Sequence, residues 1–154
     1  MSAFRPTARK GFTLVEILIV VIILGILAAI VIPQFTNASS DARNSSLAST
    51  LQTLRSQIEL YKLQHGDTLP NLVASWAPFT GTTTYGNPAT TFGPYMQATP
   101  TNPENGFSTV IDSTSSPGAS VATGTGFVYD YNGGNGTGEI YGTADTAGVT
   151  VAPY

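Results

Sequence analysis

The sequence predicts an α+β fold in which one long N-terminal helix packs on a small antiparallel β-sheet. Three patterns indicate this fold: an apolar run near the N-terminus, an apolar stripe at helical spacing behind it, and short strand-like segments between glycine-rich and polar loops in the second half. With 154 residues, the chain has room for one small domain beyond the first helix.

The apolar run extends from Phe12 to Ile32 and is interrupted only by Thr13, Glu16 and Gly25. As a helix it is about 32 Å long, which is enough to cross the hydrocarbon core of a bilayer. Three basic residues precede the run: Arg5, Arg9 and Lys10. This asymmetry predicts a cytoplasmic N-terminus and an extracytoplasmic C-terminal domain. Because a carboxylate in an apolar span is costly, Glu16 is predicted to be a functional residue with a partner.

The order of residues at this N-terminus is specific: a short basic leader, then Gly11, then Phe-Thr-Leu-Val-Glu and the aliphatic run. It resembles the processing signature of type IV pilin-like precursors, a family that includes pilins and the pseudopilins of type II secretion. The resemblance implies cleavage after Gly11 by a prepilin peptidase and methylation of the new N-terminus at Phe12. It also implies that Glu16 acts in assembly and that Pro33 stands where these proteins often carry a proline. It covers the first fifth of the chain, and the remainder resembles the family only in layout.

Two other interpretations explain the N-terminus less fully. A secretory signal peptide has a shorter apolar region, with a small-residue cleavage site beyond it. The run here is longer, contains Glu16 and ends at Ile32-Pro33. An ordinary membrane anchor explains the length and the orientation but neither Gly11-Phe12 nor Glu16. The pilin-like interpretation accounts for all of these features.

The chain divides into a basic leader at 1–11, a membrane or filament-core helix at 12–33, an amphipathic helix at 34–65 and a globular region at 66–154. Pro33 lacks an amide hydrogen, which predicts a bend or a local break near residues 29–33. The amphipathic helix carries one apolar stripe at spacings of three and four: Leu47, Leu51, Leu54, Ile58 and Tyr61. Gln64-His65-Gly66 is typical of a helix C-terminus, with Gly66 suited to the left-handed conformation.

The globular region contains three strand candidates: Phe107–Asp112, Gly126–Asn132 and Glu139–Gly142. The second alternates Phe127, Tyr129 and Tyr131 with Val128 and Asp130, which predicts a half-buried strand. A glycine-rich turn at 133–138 joins the second and third candidates as a hairpin. Other elements are weaker: a short helix at Leu69–Ala77 with Trp76 in the core, polar loops at Thr80–Gly93 and Ser113–Thr125, and an edge strand or loose tail at Thr146–Tyr154.

Composition excludes several functions. The net charge is −3, and the nine acidic residues outnumber three basic ones once the leader is removed. No Lys or Arg follows Lys62, so the domain lacks the cations that neutralise nucleic-acid phosphates. One histidine and no cysteine exclude the usual zinc sites and any disulfide. His65 has no evident nucleophile or orienting partner, so the sequence predicts no enzyme.

The sequence offers candidate ligands for calcium. Hard oxygen ligands of the type that Ca²⁺ accepts crowd one glycine-rich segment: Asp130, Asn132, Asn135, Glu139 and Asp145. Their spacing does not match an EF-hand, and ordinary turn residues are the competing explanation.

The function predicted from these features is that of a structural subunit of a pilus-like filament, most like the major pseudopilin of type II secretion. A type IV pilus or competence subunit is the alternative, and a membrane-anchored extracytoplasmic binding domain is an alternative of another class. The predicted partners are further copies and related subunits, the prepilin peptidase and methyltransferase, the inner-membrane assembly platform and the membrane itself. The predicted location is the bacterial inner membrane, with the domain outside the cytoplasm.

Overall fold

The computed structural model describes residues 11–113, 123–143 and 151–152. The chain forms two compact units, the first ending at Ser39 and the second beginning at Ser40. The long helix α1, Leu14–Gln64, supplies residues to both units. It continues through Pro33, so the predicted local break is wrong, while the predicted bend stays a prediction. One proline removes only one of the many backbone hydrogen bonds of a helix this long, and apolar helices tolerate that loss.

The predicted stripe forms the helical side of the core. Leu47, Leu51, Leu54 and Ile58 are buried, and Tyr61 packs against the same cluster while half-buried. The other core residues come from the loops and the sheet: Leu69, Leu72, Trp76, Phe79, Val110, Phe127, Tyr129 and Ile140. The predicted α+β arrangement, with α1 against a small sheet, is confirmed.

The C-terminal end of α1 follows the predicted pattern. The helix ends at Gln64, and Gly66 has a φ of +60°, the left-handed conformation that glycine adopts without strain. The Asp67 amide donates to the Lys62 carbonyl at 2.8 Å, closing the last turn as in a Schellman motif.

The segment behind α1 differs from prediction in two places. The helix expected at Leu69–Ala77 is absent, and a short helix α2, Ala77–Thr80, follows instead. Pro78 lies in the first turn of α2, where its missing amide hydrogen costs nothing, so a helix begins here rather than ends. The predicted loop at Thr80–Gly93 contains an antiparallel hairpin of strands β1, Thr83–Tyr85, and β2, Thr90–Phe92.

The main sheet contains four strands in the order β3-β4-β5-β6. Their bounds are Val110–Asp112 for β3, Phe127–Tyr129 for β4, Ile140–Thr143 for β5 and Val151–Ala152 for β6. The last confirms an edge strand within 146–154. The pair β3 and β4 is parallel and the other pairs are antiparallel, so the sheet is mixed rather than purely antiparallel. The long connection between β3 and β4 allows the crossover that a parallel pair requires.

The predicted alternation of β4 is wrong in one respect. Phe127 and Tyr129 are fully buried as expected, but Val128 is only 4% exposed. The turn between β4 and β5 is the predicted glycine-rich hairpin connection, and it includes a 3₁₀ turn at Asn132–Gly134.

Two contacts hold α1 to β5. The Arg55 guanidinium donates to the Ile140 carbonyl at 3.0 Å and lies 6.0 Å from the centre of the Tyr141 ring. Gly142 faces Leu47 so closely that a Cβ there would lie 2.6 Å from the Leu47 Cδ1. The absence of a side chain at Gly142 therefore sets how near the helix and the sheet can approach.

Candidate functional site

The N-terminus of α1 is closed by a reciprocal pair of hydrogen bonds between Thr13 and Glu16. The Glu16 amide donates to the Thr13 Oγ1 at 3.2 Å. In return, the Thr13 amide and hydroxyl donate to the Glu16 Oε2 at 2.8 and 2.9 Å. This is a capping box, in which a threonine before the helix and a glutamate three residues later satisfy each other's backbone donors. Within the described chain, the second oxygen, Oε1, accepts no hydrogen bond.

The residues of the predicted cleavage bond precede the helix. Gly11 and Phe12 are exposed and belong to no helix or strand, and the Phe12 side chain is 83% exposed. The predicted leader at 1–10 lies outside the described residues. The bond between Gly11 and Phe12 thus lies outside α1, between two exposed residues.

The side chains behind Glu16 form a continuous apolar surface. From Leu14 to Ile32 every large aliphatic side chain is exposed, and so is Phe35. Over this stretch α1 is long and apolar enough to cross a membrane, and it is the one such helix in the described residues. An exposed apolar surface of this size marks contact with lipid or with other protein.

The structure brings together Thr13 and Glu16, whereas Pro33 has no contact within the described residues that defines a site. Sequence reasoning treated Glu16 as a charge awaiting a distant partner and missed Thr13. The signal was present in the sequence, because Thr13-x-x-Glu16 ahead of an apolar run is the capping-box pattern.

Two of the five calcium candidates, Asp130 and Glu139, accept local hydrogen bonds. The Asp130 Oδ2 accepts hydrogen bonds from the Thr137 amide and hydroxyl, at 3.0 and 2.7 Å. The Glu139 carboxylate accepts one from the Tyr141 hydroxyl. Asn132 and Asn135 are exposed in the turn, and Asp145 lies outside the described residues. Among the residues that the structure describes, no three His, Cys, Asp or Glu side chains converge to hold a metal ion.

His65 lies in an aromatic cluster rather than in a catalytic arrangement. Its ring is 3% exposed and stacks on Tyr61 with ring centres 3.8 Å apart. Tyr85 and Phe92, one from each strand of the β1–β2 hairpin, lie within 5.5 Å of it, ring centre to ring centre. The Nδ1 lies 3.0 Å from the Tyr61 carbonyl, whereas the Nε2 has no partner in the described chain. His65 therefore anchors the hairpin, which sequence reasoning had taken for a polar loop.

Comparison with known proteins supports the N-terminal site. Residues 6–32 match the family model described as the prokaryotic N-terminal methylation motif. This confirms the prepilin-type motif that the sequence predicts at the N-terminus, while the roles of Gly11, Phe12 and Glu16 stay predictions.

Curated relatives match a longer part of the chain. It is 36% identical over 61 residues to the type II secretion system core protein G of Klebsiella michiganensis, covering 40% of this chain and 43% of that protein. It is 39% identical over 57 residues to the protein of the same name from Pseudomonas aeruginosa, covering 37% and 40%. It is also 49% identical over 51 residues to the type IV major fimbrial protein FimA of Dichelobacter nodosus, covering 33% of each chain. The chain thus spans less than half the length of the curated relatives it matches, and no solved structure matches it.

Proposed function

We propose that this chain is a structural subunit of a pilus-like filament, and specifically a type II secretion pseudopilin held in the inner membrane before assembly. The observation that carries the proposal is the N-terminus of α1. The methylation motif at 6–32 coincides there with an exposed cleavage bond, a capped helix start at Glu16 and an uninterrupted apolar surface. The names of several relatives, which are those of secretion-system and fimbrial proteins, support it.

The apolar surface has to be covered in both states of such a subunit. In the precursor, lipid covers it, and the three cations before Gly11 keep the N-terminus in the cytoplasm. In the filament, the same surface of neighbouring copies replaces lipid. The partners that this requires are a prepilin peptidase and methyltransferase at Gly11-Phe12, an inner-membrane assembly platform, and further copies of this or related subunits.

Glu16 supplies the polar contact in this assembly. Cleavage turns Phe12 into a terminal cation, and methylation of its nitrogen preserves the charge. We assign the Glu16 Oε1, which no described residue uses, to the Phe12 ammonium of a neighbouring copy. In a surrounding of low dielectric this pairing is strong, and an unpaired carboxylate would cost several kcal/mol.

Processing tests the proposal directly. The protein is purified from its own host, and its intact mass and N-terminal sequence are measured. We expect a chain that begins at Phe12 and carries one added methyl group. Substitution of Gly11 should leave an uncleaved precursor in the membrane. A mature chain that still begins near Met1, or one cut beyond Ile32, would exclude the pilin-like function.

Two variants of Glu16 separate its local role from its role between subunits. Glutamine can accept the same capping bonds as glutamate but carries no charge, whereas alanine removes both. If the charge acts between subunits, Glu16→Gln should lose filament incorporation as fully as Glu16→Ala, while both variants insert in the membrane. Normal assembly of Glu16→Gln would show that the cap alone matters and would contradict the assignment.

A type IV pilus or competence subunit is the second candidate, favoured by the 49% identity to a major fimbrial protein. Its filament would be extracellular. Deletion of the gene distinguishes the two: loss of protein secretion with normal surface fibres indicates the pseudopilin, and loss of surface fibres or of DNA uptake indicates the second candidate.

A further inference from the structure

An open cleft of about 400 Å³ lies at the C-terminal end of α1, lined by Glu59, Lys62, Leu63, Gly66 and Asp67. Leu63 is 82% exposed, and Leu60, one turn earlier, is 40% exposed. Both belong to the well-packed second unit, whose other described leucines are buried. Large aliphatic side chains side by side in water, next to a cleft, are typical of a surface that another protein covers.

The rim of this cleft carries an excess of negative charge. The Lys62 Nζ lies 3.3 Å from the Glu59 carboxylate and 3.8 Å from that of Asp67. Lys62 is 22% exposed, but the two carboxylates are 66% and 90% exposed. One ammonium thus faces two carboxylates that remain open to a second cation.

The chain itself offers one suitable cation. Beyond the leader its basic residues are Arg43, Arg55 and Lys62. Arg55 donates to the Ile140 carbonyl, and Lys62 is held by Glu59 and Asp67. Arg43 is exposed on α1 and makes no ion pair within the described part of the chain.

We propose that the cleft binds the Arg43 segment of a second copy of this chain. The inference rests on the proposed function, because membrane insertion makes all copies point the same way. Arg43 precedes Glu59 by 16 positions, which is about 24 Å along an α-helix. Neighbouring copies are therefore parallel and displaced by about 24 Å, with Arg43 of one beside Glu59 and Asp67 of the other. Leu63 then covers the small side chains of Ala42 and Ser46.

This contact continues indefinitely rather than closing. Arg43 and Glu59 lie about 160° apart around α1, at 100° per residue, so they face opposite sides of the helix. Each copy that receives an arginine in its cleft still offers its own Arg43 to another copy. A heterologous contact of this kind, repeated with a constant displacement, builds a filament. The contact of Leu63 buries apolar surface, while the charged residues fix the axial register between neighbouring helices.

Cross-linking of the full-length chain in its own host tests the register. The natural sequence has no cysteine, so Arg43→Cys and Glu59→Cys in one chain provide the only two thiols. After treatment of intact filaments with a short bis-maleimide, we expect a ladder of dimers, trimers and higher multimers. Each single-cysteine variant should give no ladder.

A matched control places the second cysteine on the same side of α1 but at a different height along the helix axis. Gln52 is exposed and lies two turns before Glu59, about 10 Å lower on the same side of α1. Arg43→Cys with Gln52→Cys should give little multimer. An equal ladder from both pairs would show a contact without the proposed register and would overturn the inference.

Charge reversal supplies a readout without thiols. Arg43→Glu should lower the fraction of protein in filaments about tenfold, because like charges then meet at the cleft. Combining it with Glu59→Lys and Asp67→Lys should restore most of that loss. Arg43, Glu59 and Asp67 are exposed, so normal cleavage at Gly11 should continue in every variant and serves as the control for insertion.

The outcomes distinguish this inference from the proposed function. Normal processing and normal filaments, with no ladder or with no effect of Arg43→Glu, would overturn the 24 Å register and leave the filament function standing. Dimers alone from the cysteine pair would mean a closed contact and would also overturn it. Absence of cleavage and of filaments in the unmutated chain would instead remove the proposed function on which the inference rests.

Discussion

Replacement of Asn102 should be among the most damaging single changes in the second unit. Asn102 is fully buried, and its Nδ2 donates to the carbonyls of Gly126 and Thr143, each at 2.7 Å. Its Oδ1 accepts the Glu104 amide at 2.9 Å. One side chain therefore joins the loop before β3 to the start of β4 and the end of β5.

The cost of Asn102→Ala follows from the groups left behind. In the variant the Gly126 carbonyl still accepts a hydrogen bond from the Thr143 amide, at 3.2 Å, so it is not left without a donor. The Thr143 carbonyl and the Glu104 amide lose the Asn102 bond altogether, and a cavity replaces the amide group. With about 1–2 kcal/mol for each unsatisfied buried group, the total is about 3 kcal/mol. For a unit of this size that corresponds to a fall of about 12 °C in the unfolding midpoint.

Thermal unfolding of the full chain in detergent, followed by near-ultraviolet circular dichroism, measures this shift. Asn71→Ala is the matched control, because the Asn71 side chain accepts one amide, that of Ala74, at an exposed position. Its expected cost is at most about 0.5 kcal/mol. If Asn102→Ala and Asn71→Ala shift the midpoint equally, the buried network does not carry the stability assigned to it.

Four further predictions concern the sheet and its turn. The Tyr129 hydroxyl is buried without a partner in the described chain, so Tyr129→Phe should raise stability by about 1 kcal/mol in chemical denaturation. Burial also raises the pKa of Tyr129, so the unfolded chain loses the phenol proton near pH 10 while the folded chain keeps it. The free energy of unfolding should therefore fall above about pH 10, and it should fall less steeply in Tyr129→Phe. Gly142→Ala should cost about 1–3 kcal/mol through its clash with Leu47, and a double-mutant cycle with Leu47→Ala should be less than additive. Because local bonds occupy Asp130 and Glu139, millimolar calcium should leave the unfolding midpoint unchanged relative to a chelator; a rise that Asp130→Ala abolishes would establish a site.

The sequence predicted the elements that depend on local periodicity. The stripe from Leu47 to Ile58 and the end of α1 just before Gly66 follow from helical spacing and from glycine's conformational freedom, and both are confirmed. The parallel pairing of β3 with β4 was not predictable, because strand direction depends on where a long connection returns the chain. The burial of Val128 was not predictable either, because alternation assumes a strand with one exposed face, whereas Val128, on the opposite face of β4 from Phe127 and Tyr129, is only 4% exposed.

Side-chain hydrogen bonds between distant residues were also beyond sequence reasoning. Asn102 precedes a proline, a position that favours extended backbone, and nothing in the sequence indicates that its amide reaches residues 24 and 41 positions away. The β1–β2 hairpin was missed because threonine and glycine dominate residues 80–93. Its stability comes from Tyr85 and Phe92 against His65, and a two-stranded hairpin without such packing would be marginal.

Under the proposed function, Glu16 at the N-terminal site serves both the single chain and the filament. A helix that begins in an apolar layer needs acceptors for its first amides, and the Glu16 Oε2 provides one to Thr13. A carboxylate has a second oxygen, and at Glu16 that oxygen accepts nothing within the described chain. Capping therefore leaves the negative charge available, and it holds that charge at the helix terminus beside the exposed Phe12, where cleavage would create a positive one. The capping hydrogen bonds and the proposed pairing between copies use different oxygens of Glu16, so one residue can make both. Glu16→Gln removes the charge that the pairing needs and keeps an oxygen that can accept the capping bonds.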